Sequence, residues 1–267
     1  MTRTGRLGGC RIAICAAVAL LIGAEFGQAS AAGPQIVVAI DAGHGGIDPG
    51  ASSGGLVEKD VVLGFALRLA RQIDATEGFR ALLIRSDDTF LTLGERIQRA
   101  RDGGANLILS LHADTTSGGE AEGAHVYTLS EEGSDEAAEA LALRENRAEI
   151  IGGVALQGEP DDLALLLVDL AQRGTGNEAQ KLARAALSEM DGAVTLLPTE
   201  PHRQANFRIL KAPEIPSILV ELGYLSNASD RARLVSEDWQ ARMASALARG
   251  LRRWANSASP GFLTPKR

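Results

Sequence analysis

Three apolar runs in this chain each lead into a residue able to do chemistry, and that pattern restricts the fold more than any other feature. "QIVVAIDA" (35–42) leads into His44, "LILSL" (107–111) into His112, and "SILV" (217–220) into Glu221. Short apolar runs rich in β-branched residues read as buried strands. "FRALLIR" (79–85) reads as another strand, and "GAHVYTLS" (123–130) as an alternating one near an edge. Helical patterns separate them. "EKDVVLGFALRLARQIDAT" (58–76) is amphipathic. "TLGERIQRARDGG" (92–104) has Thr92 as N-cap, Glu95 three residues on, and glycines at its end. "NEAQKLARAALSEM" (177–190) and 229–256 are helical as well. Strands alternating with helices predict an α/β fold, a doubly wound, mostly parallel sheet with helices on both faces.

The stretch 131–173 interrupts this rhythm and reads as a helical insert. "SDEAAEALALRENRAEII" is a Glu-rich helix, "GGVALQGEP" breaks it, and "DDLALLLVDLAQR" is a second, more apolar helix. The tail 257–267, "NSASPGFLTPKR" with the residue before it, is expected to be disordered. No internal repeat is present.

Charge and the N-terminus set the address. The formal net charge is −7, which argues against nucleic acid, because phosphate binding calls for a basic face. Arg3, Arg6 and Arg11 precede the apolar run "IAICAAVALLIGA" (12–24), and "ASA" (29–31) has the small-x-small form of a cleavage site, so residues 1–32 read as a secretory signal peptide. Its removal takes away both cysteines, Cys10 and Cys15, and leaves no membrane span and no disulfide. An exported, acidic, cysteine-free protein suits a bacterial periplasm, and a monomer is expected.

In an open parallel sheet, ligands bind beyond the carboxyl ends of the strands. His44, His112 and Glu221 all follow strand-like runs. Glu58 opens the helix reached by the glycine-rich loop "DAGHGGIDPG" that carries His44. Each has an ordinary reading alone: a structural histidine, a charge at a helix start, a carboxylate paired with Arg208. Together, two imidazoles and one carboxylate form a hydrolytic zinc set with one position left to water, and a second carboxylate beside that water can act as its base. His125, within an alternating strand, reads as a surface residue or a neighbour of the site. His202, in "PTEPHRQANF", reads as structural.

"DAGHGGIDPGA", "EKDVVL", "SLHAD" and "ILVELGYLSN", in that order, resemble the motifs of zinc-dependent N-acetylmuramoyl-L-alanine amidases with the amidase 3 catalytic domain, and the resemblance runs from 36 to about 254. It implies one zinc ion held by His44, Glu58 and His112, Glu221 as the catalytic carboxylate, and peptidoglycan as substrate, cut between the lactyl carbonyl of N-acetylmuramic acid and L-alanine. The insert resembles that of the cell-separation subgroup, whose helix blocks the cleft until an activator protein with a degenerate peptidase-like domain removes it. On this resemblance Glu145 and Glu149, four apart on one helix face, are the candidates to block the metal, with Glu149 preferred because it adjoins the Gly152–Gly153 break. "LALLLVDL" reads either as a docking surface for the activator or as an apolar face packed on the domain. No targeting domain precedes the first strand, so recruitment is expected to come from a partner. Two other readings stay open, a different zinc peptidase on stem peptides and a wall-binding module without activity.

Overall fold

Six strands form one sheet in the order β4-β1-β5-β8-β6-β7, built from β1 (Ile36–Ala42), β4 (Phe79–Leu83), β5 (Leu107–His112), β6 (His125–Leu129), β7 (His202–Ala205) and β8 (Ser217–Glu221). A two-residue ribbon, β2 (Ser52–Ser53) with β3 (Leu56–Val57), lies apart from it. The computed structural model describes residues 35–116, 121–147 and 162–264. The stretch 1–32 read as a signal peptide, Glu149 and the Gly152–Gly153 break lie outside those residues, and so do the side chains of "LALLLVDL".

β4, β1, β5 and β8 run parallel, as the alternation of strands and helices predicts. β6 is antiparallel to β8, and β7 follows β6 in parallel, so this end of the sheet is reversed. The chain leaves β1, passes through α1 (Glu58–Asp74) to β4, then returns through α2 (Leu93–Asp102) to β5 on the other side of β1. The switch point is therefore between β1 and β5, where a doubly wound sheet opens a crevice at its carboxyl edge. His44 and His112 stand there.

Helices cover both faces. α1, α4 (Asp162–Met190) and α6 (Glu237–Ala255) pack on one face, where Phe65, Leu69, Leu182, Leu247 and Trp254 meet Val38, Leu109 and Val220. α2 and α3 (Glu136–Glu145) pack on the other. α2 has the capping box that its sequence predicts, with the Thr92 side chain accepting from Glu95 N and the Glu95 side chain accepting from Thr92 N. α5 (Ala228–Leu234) is a short link. Among the described residues no helix is long and apolar enough to cross a membrane.

Four expectations change. His202–Ala205, read as loop, is the edge strand β7, and β6 lies next to that edge, as expected. Of the two readings of His125 the surface one fails, because it is fully buried, and it stands across the β6–β8 ladder from Glu221 as a neighbour of the site. α4 runs unbroken through Gly174 and Gly176, where two separate helices are expected; Thr175 between them donates to the carbonyls of Gln172 and Pro213 and ties the turn down. The tail is anchored as far as residue 264, because Asn106 Nδ2 donates to the carbonyls of Phe262 and Thr264, and Ser259 donates to Glu178.

Candidate active site

His44 sits in the loop after β1 with a φ of 60°, a left-handed conformation that costs a non-glycine residue about 1–3 kcal/mol. Two buried arginines hold it there. Arg96, on the inner face of α2, donates to the carbonyls of Ala42 (2.8 Å) and His44 (2.7 Å) and pairs with buried Asp41 at 2.8 Å. Arg85, just past β4, donates to the carbonyls of Ala42, Gly43 and Lys59 at 2.8 to 2.9 Å. Arg85 thus ties the loop of His44 to the first turn of α1, which carries Glu58. Burial would raise the Asp41 carboxyl, but Arg96 outweighs it and holds it below its ordinary value.

Two glycines make room for the rings. A Cβ on Gly43 would lie 2.5 to 2.9 Å from the imidazole of His112. One on Gly50, whose φ is +66°, would lie 2.6 Å from His44 and 2.7 Å from the Glu58 carboxylate. Both positions need a residue without a side chain.

Four of the predicted residues converge. Glu58 is buried, and its two oxygens accept from the main-chain amides of Ala51 (2.8 Å) and Ala113 (2.9 Å). The same oxygens lie 3.2 Å from His44 Nε2 and 3.1 Å from His112 Nδ1. Burial alone would raise the Glu58 carboxyl, but the two imidazoles hold it well below the carboxylate range. Asp48 lies 2.9 Å from His44 Nδ1 and leaves Nε2 to face the cluster. Glu145 Oε2 lies 3.3 Å from both His44 Nε2 and His112 Nδ1. Ligand atoms of His44, His112 and Glu145 all fall within 4.8 Å of one another.

Glu145 reaches this point because of the phase of α3. The buried residues of that helix are Ala138, Leu141, Ala142 and Glu145, one helical stripe, so the apolar face on the sheet ends in a carboxylate aimed into the site. The helix is pinned at both ends. Asp135, its N-cap, pairs with Arg203 of β7. Asn146 donates to the Asn206 carbonyl and accepts from Arg208 N, both at 2.8 Å. Glu149, the preferred candidate by sequence, lies outside the described residues.

Glu221 is fully buried, and the strand register sets it directly across from His112. Its Oε2 accepts from Asp114 N at 3.1 Å, and among the described residues its Oε1 has no hydrogen-bond partner. Burial, then the carboxylates of Asp114, Glu58 and Glu145, push its carboxyl well above the ordinary range. His125 is across the next ladder from Glu221 and stacks on Tyr224. His202, on β7, lies 3.1 Å from Thr128 Oγ1, a structural contact.

The donor set suits a divalent cation of the zinc type: two imidazole nitrogens and carboxylate oxygen facing one point. Among the described residues buried His44 Nε2 has no aligned hydrogen bond and lies 3.2 and 3.3 Å from oxygens of Glu58 and Glu145, as expected of a nitrogen whose partner is a metal. A larger depression of about 500 Å³ elsewhere, lined by Val194, Arg233, Trp239 and Arg242, has no such convergence, and its arginines are engaged by Glu122, Asp230 and Asp238.

Arg85, Arg96, Asp48 and Asp114 escaped the reading of the sequence. Arg85 had one signal, a basic residue immediately after an apolar run at a strand's carboxyl end. Arg96 had none beyond its place in a capped helix.

Residues 38–253 match the family model described as N-acetylmuramoyl-L-alanine amidase. The chain is similar to the N-acetylmuramoyl-L-alanine amidase AmiC of Neisseria meningitidis, with 38% identity over 229 residues, 85% of this chain and 54% of that protein. It is similar to the amidase AmiA of Escherichia coli, with 37% identity over 226 residues, 84% of this chain and 78% of that protein. It thus spans about half the length of the first relative and about three-quarters of the second. Among solved structures, the catalytic domain of the amidase CwlV from Bacillus (Paenibacillus) polymyxa superposes with a TM-score of 0.57 at 27% identity, covering 83% of this chain and 99% of that one. The amidase AmiC2 of Nostoc punctiforme superposes with a TM-score of 0.58 at 27% identity, covering 83% and 97%.

Proposed function

The chain belongs to the N-acetylmuramoyl-L-alanine amidase family, and from that premise we propose that it hydrolyses peptidoglycan at the amide between N-acetylmuramic acid and the L-alanine of the stem peptide, with one zinc ion held by His44, Glu58 and His112. The observation that carries this reading is the buried cluster itself: two imidazoles against one carboxylate, with a second, Glu221, in register beside His112 and one oxygen unpartnered.

Bound zinc would supply Lewis acidity toward the carbonyl and a lowered pKa for the attacking water. Glu58 is committed to holding the metal by two main-chain amides and two imidazole contacts, so the base must be another group. Glu221 fits that role. Its Oε2 is fixed by Asp114 N, and its free Oε1 can accept the proton of the attacking water. A carboxyl raised by burial takes that proton up readily and carries it to the nitrogen that leaves as the C–N bond breaks. The water's oxygen stays on the lactyl carbon.

The same reading assigns α3 an inhibitory role. Glu145 occupies the space in front of both imidazoles where water and substrate carbonyl must come, and Asn146 and Asp135 hold the helix down. An activator that lifts α3, of the degenerate peptidase-like kind, would expose the site. The basic and apolar leader, read as an export signal, supports a location outside the cytoplasmic membrane, and such control suits a role in daughter-cell separation.

Mass spectrometry of muropeptides after incubation with the purified protein tests the reading. Glycans ending in a free lactyl carboxylate, with stem peptides beginning at L-alanine, are expected, and a chelator should stop their release until zinc is restored. Release of free D-alanine instead would make the protein a carboxypeptidase.

A further inference from the structure

We propose that Asp114 is a substrate-positioning residue that accepts a peptide N–H of the stem on the leaving-group side of the scissile amide, and that Arg144 of α3 fills this acceptor while the helix lies over the site. The inference rests on the amidase reading above and adds a subsite to it.

Asp114 follows His112 by two residues and is 5% exposed. Its main chain is fixed on both sides: its amide donates to Glu221 Oε2 at 3.1 Å and its carbonyl accepts from Leu225 N at 2.6 Å. The carboxylate is therefore held beside Glu221 by the backbone itself. Its Oδ1 lies 2.5 Å from Arg144 Nη2 and is otherwise a buried acceptor without an aligned hydrogen bond. A buried carboxylate oxygen left without a donor is costly. When α3 leaves, Arg144 leaves with it, and the group that takes its place in the working site must donate.

The geometry selects that donor. Arg144 and Glu145 are consecutive, and together they present a guanidinium to Asp114 and a carboxylate to the two imidazoles. A scissile amide presents the same pair of polarities: a carbonyl oxygen toward the metal ligands and, on its nitrogen side, N–H groups. Glu221 returns a proton to the leaving nitrogen from Oε1 while its Oε2 accepts from the Asp114 amide, so Asp114 flanks the carboxylate that faces the nitrogen side, where the stem peptide continues. A cleft of about 230 Å³, lined by His44, Ala51, Thr115, Arg144 and Glu145, opens beside the pair and gives the peptide a route in. In this arrangement Arg144 and Glu145 imitate the substrate that they exclude.

The test uses the full chain carrying Glu145→Ala and a soluble muropeptide. Asp114→Leu in that background should raise KM about tenfold with kcat changed by no more than about threefold, the loss of one hydrogen bond to a charged acceptor. Asp114→Asn, which keeps an oxygen in place, should recover most of the loss. Metal content and thermal midpoint are measured alongside. Unchanged KM in a metal-replete Asp114→Leu protein overturns the proposal. A second arm holds if that variant does not fold: Arg144→Gln in the otherwise native chain frees the acceptor, so the released stem peptide should bind several-fold more tightly, and unchanged product affinity is equally fatal. Absence of muropeptide cleavage by the Glu145→Ala protein would sink the amidase reading itself, whereas cleavage with these constants unmoved removes only the Asp114 subsite.

Discussion

Glu221 lies directly across the β5–β8 ladder from His112, and the adjoining main-chain bond, Leu222 N to the His112 carbonyl at 2.9 Å, locks that register. The distance between the proposed base and a metal ligand is therefore set by two buried strands rather than by loops. A one-residue slip would turn every side chain on β8 to the opposite face and empty the core of Ile218 and Val220.

The first prediction follows from that rigidity. Glu221→Gln preserves the shape of the site and the bond from Asp114 N, so the protein should fold and take up one metal ion as before. Turnover of purified sacculi should fall by about 10²–10⁴, the range for loss of a general acid–base. A variant retaining a tenth of native turnover would remove Glu221 from the chemistry.

The second concerns Glu145. Its contacts with both imidazoles stabilise the closed position of α3, and Glu145→Ala deletes them while leaving the apolar stripe Ala138, Leu141 and Ala142 intact. Basal hydrolysis without activator should rise about tenfold or more, the response to about 1.4 kcal/mol lost from the closed state. Dye release from labelled sacculi measures it, and a basal rate equal to the native one would mean that α3 does not obstruct the site through this residue.

Much of this was legible in the sequence because the chemistry stands where buried runs end. His44, His112 and Glu221 each follow apolar residues that can only be interior strands, and Glu58 sits at the start of a helix with an unambiguous apolar face. β7 was not legible: "HRQA" has no apolar run, and it is a strand only because β6 offers it an edge. The alternation of β6 suggested an exposed face, yet α3 covers one side and α4 the other, and His125 is buried with them. The choice between Glu145 and Glu149 turned on neighbouring glycines, whereas the position of Glu145 follows from the stripe it shares with Leu141 and Ala142. Arg85 and Arg96 act on backbone carbonyls, a role that no spacing of side chains announces.

The third prediction is a pH dependence of stability from His125. Burial, opposed by the Gly123 carbonyl and reinforced by the Arg203 guanidinium, pushes its imidazole down to about 3. The groups facing it are Tyr127 on its own strand, Tyr224 stacked on the ring, and Glu221 across the ladder. In the unfolded chain the ring titrates near about 6.5. Between those values the unfolded chain binds a proton that the folded one refuses. The contribution is thus complete above pH about 6.5 and is lost as pH falls toward about 3, at roughly 1.4 kcal/mol per unit. Urea midpoints taken at pH 7.5 and 5 should show a steeper loss for the native protein than for His125→Phe, which keeps the stacking on Tyr224. Parallel losses in the two would mean that His125 accepts a proton in the fold.

The fourth prediction separates the two functions of Arg96. The guanidinium neutralises Asp41, which is buried and otherwise held by Ser110 Oγ, and it also holds the carbonyls of Ala42 and His44. Arg96→Met removes both, and a buried carboxylate left unpaired costs about 3–5 kcal/mol, a fall in Tm of about 10 °C for a chain of this size. Adding Asp41→Asn removes the stranded charge, so the double variant should recover a large part of that stability, and the cycle of the two measures their coupling. Metal binding should not recover with it. His44 keeps its left-handed φ only while its carbonyl is held, and a loop free to relax takes Nε2 away from the Glu58 carboxylate. Titration with zinc, read by competition with a chromophoric chelator, should therefore show weakened affinity in both the single and the double variant, by about tenfold or more as for other residues that orient a ligand. Native affinity in the double variant would show that Arg96 serves only as the counter-ion of Asp41, and that Arg85 alone suffices to hold the loop.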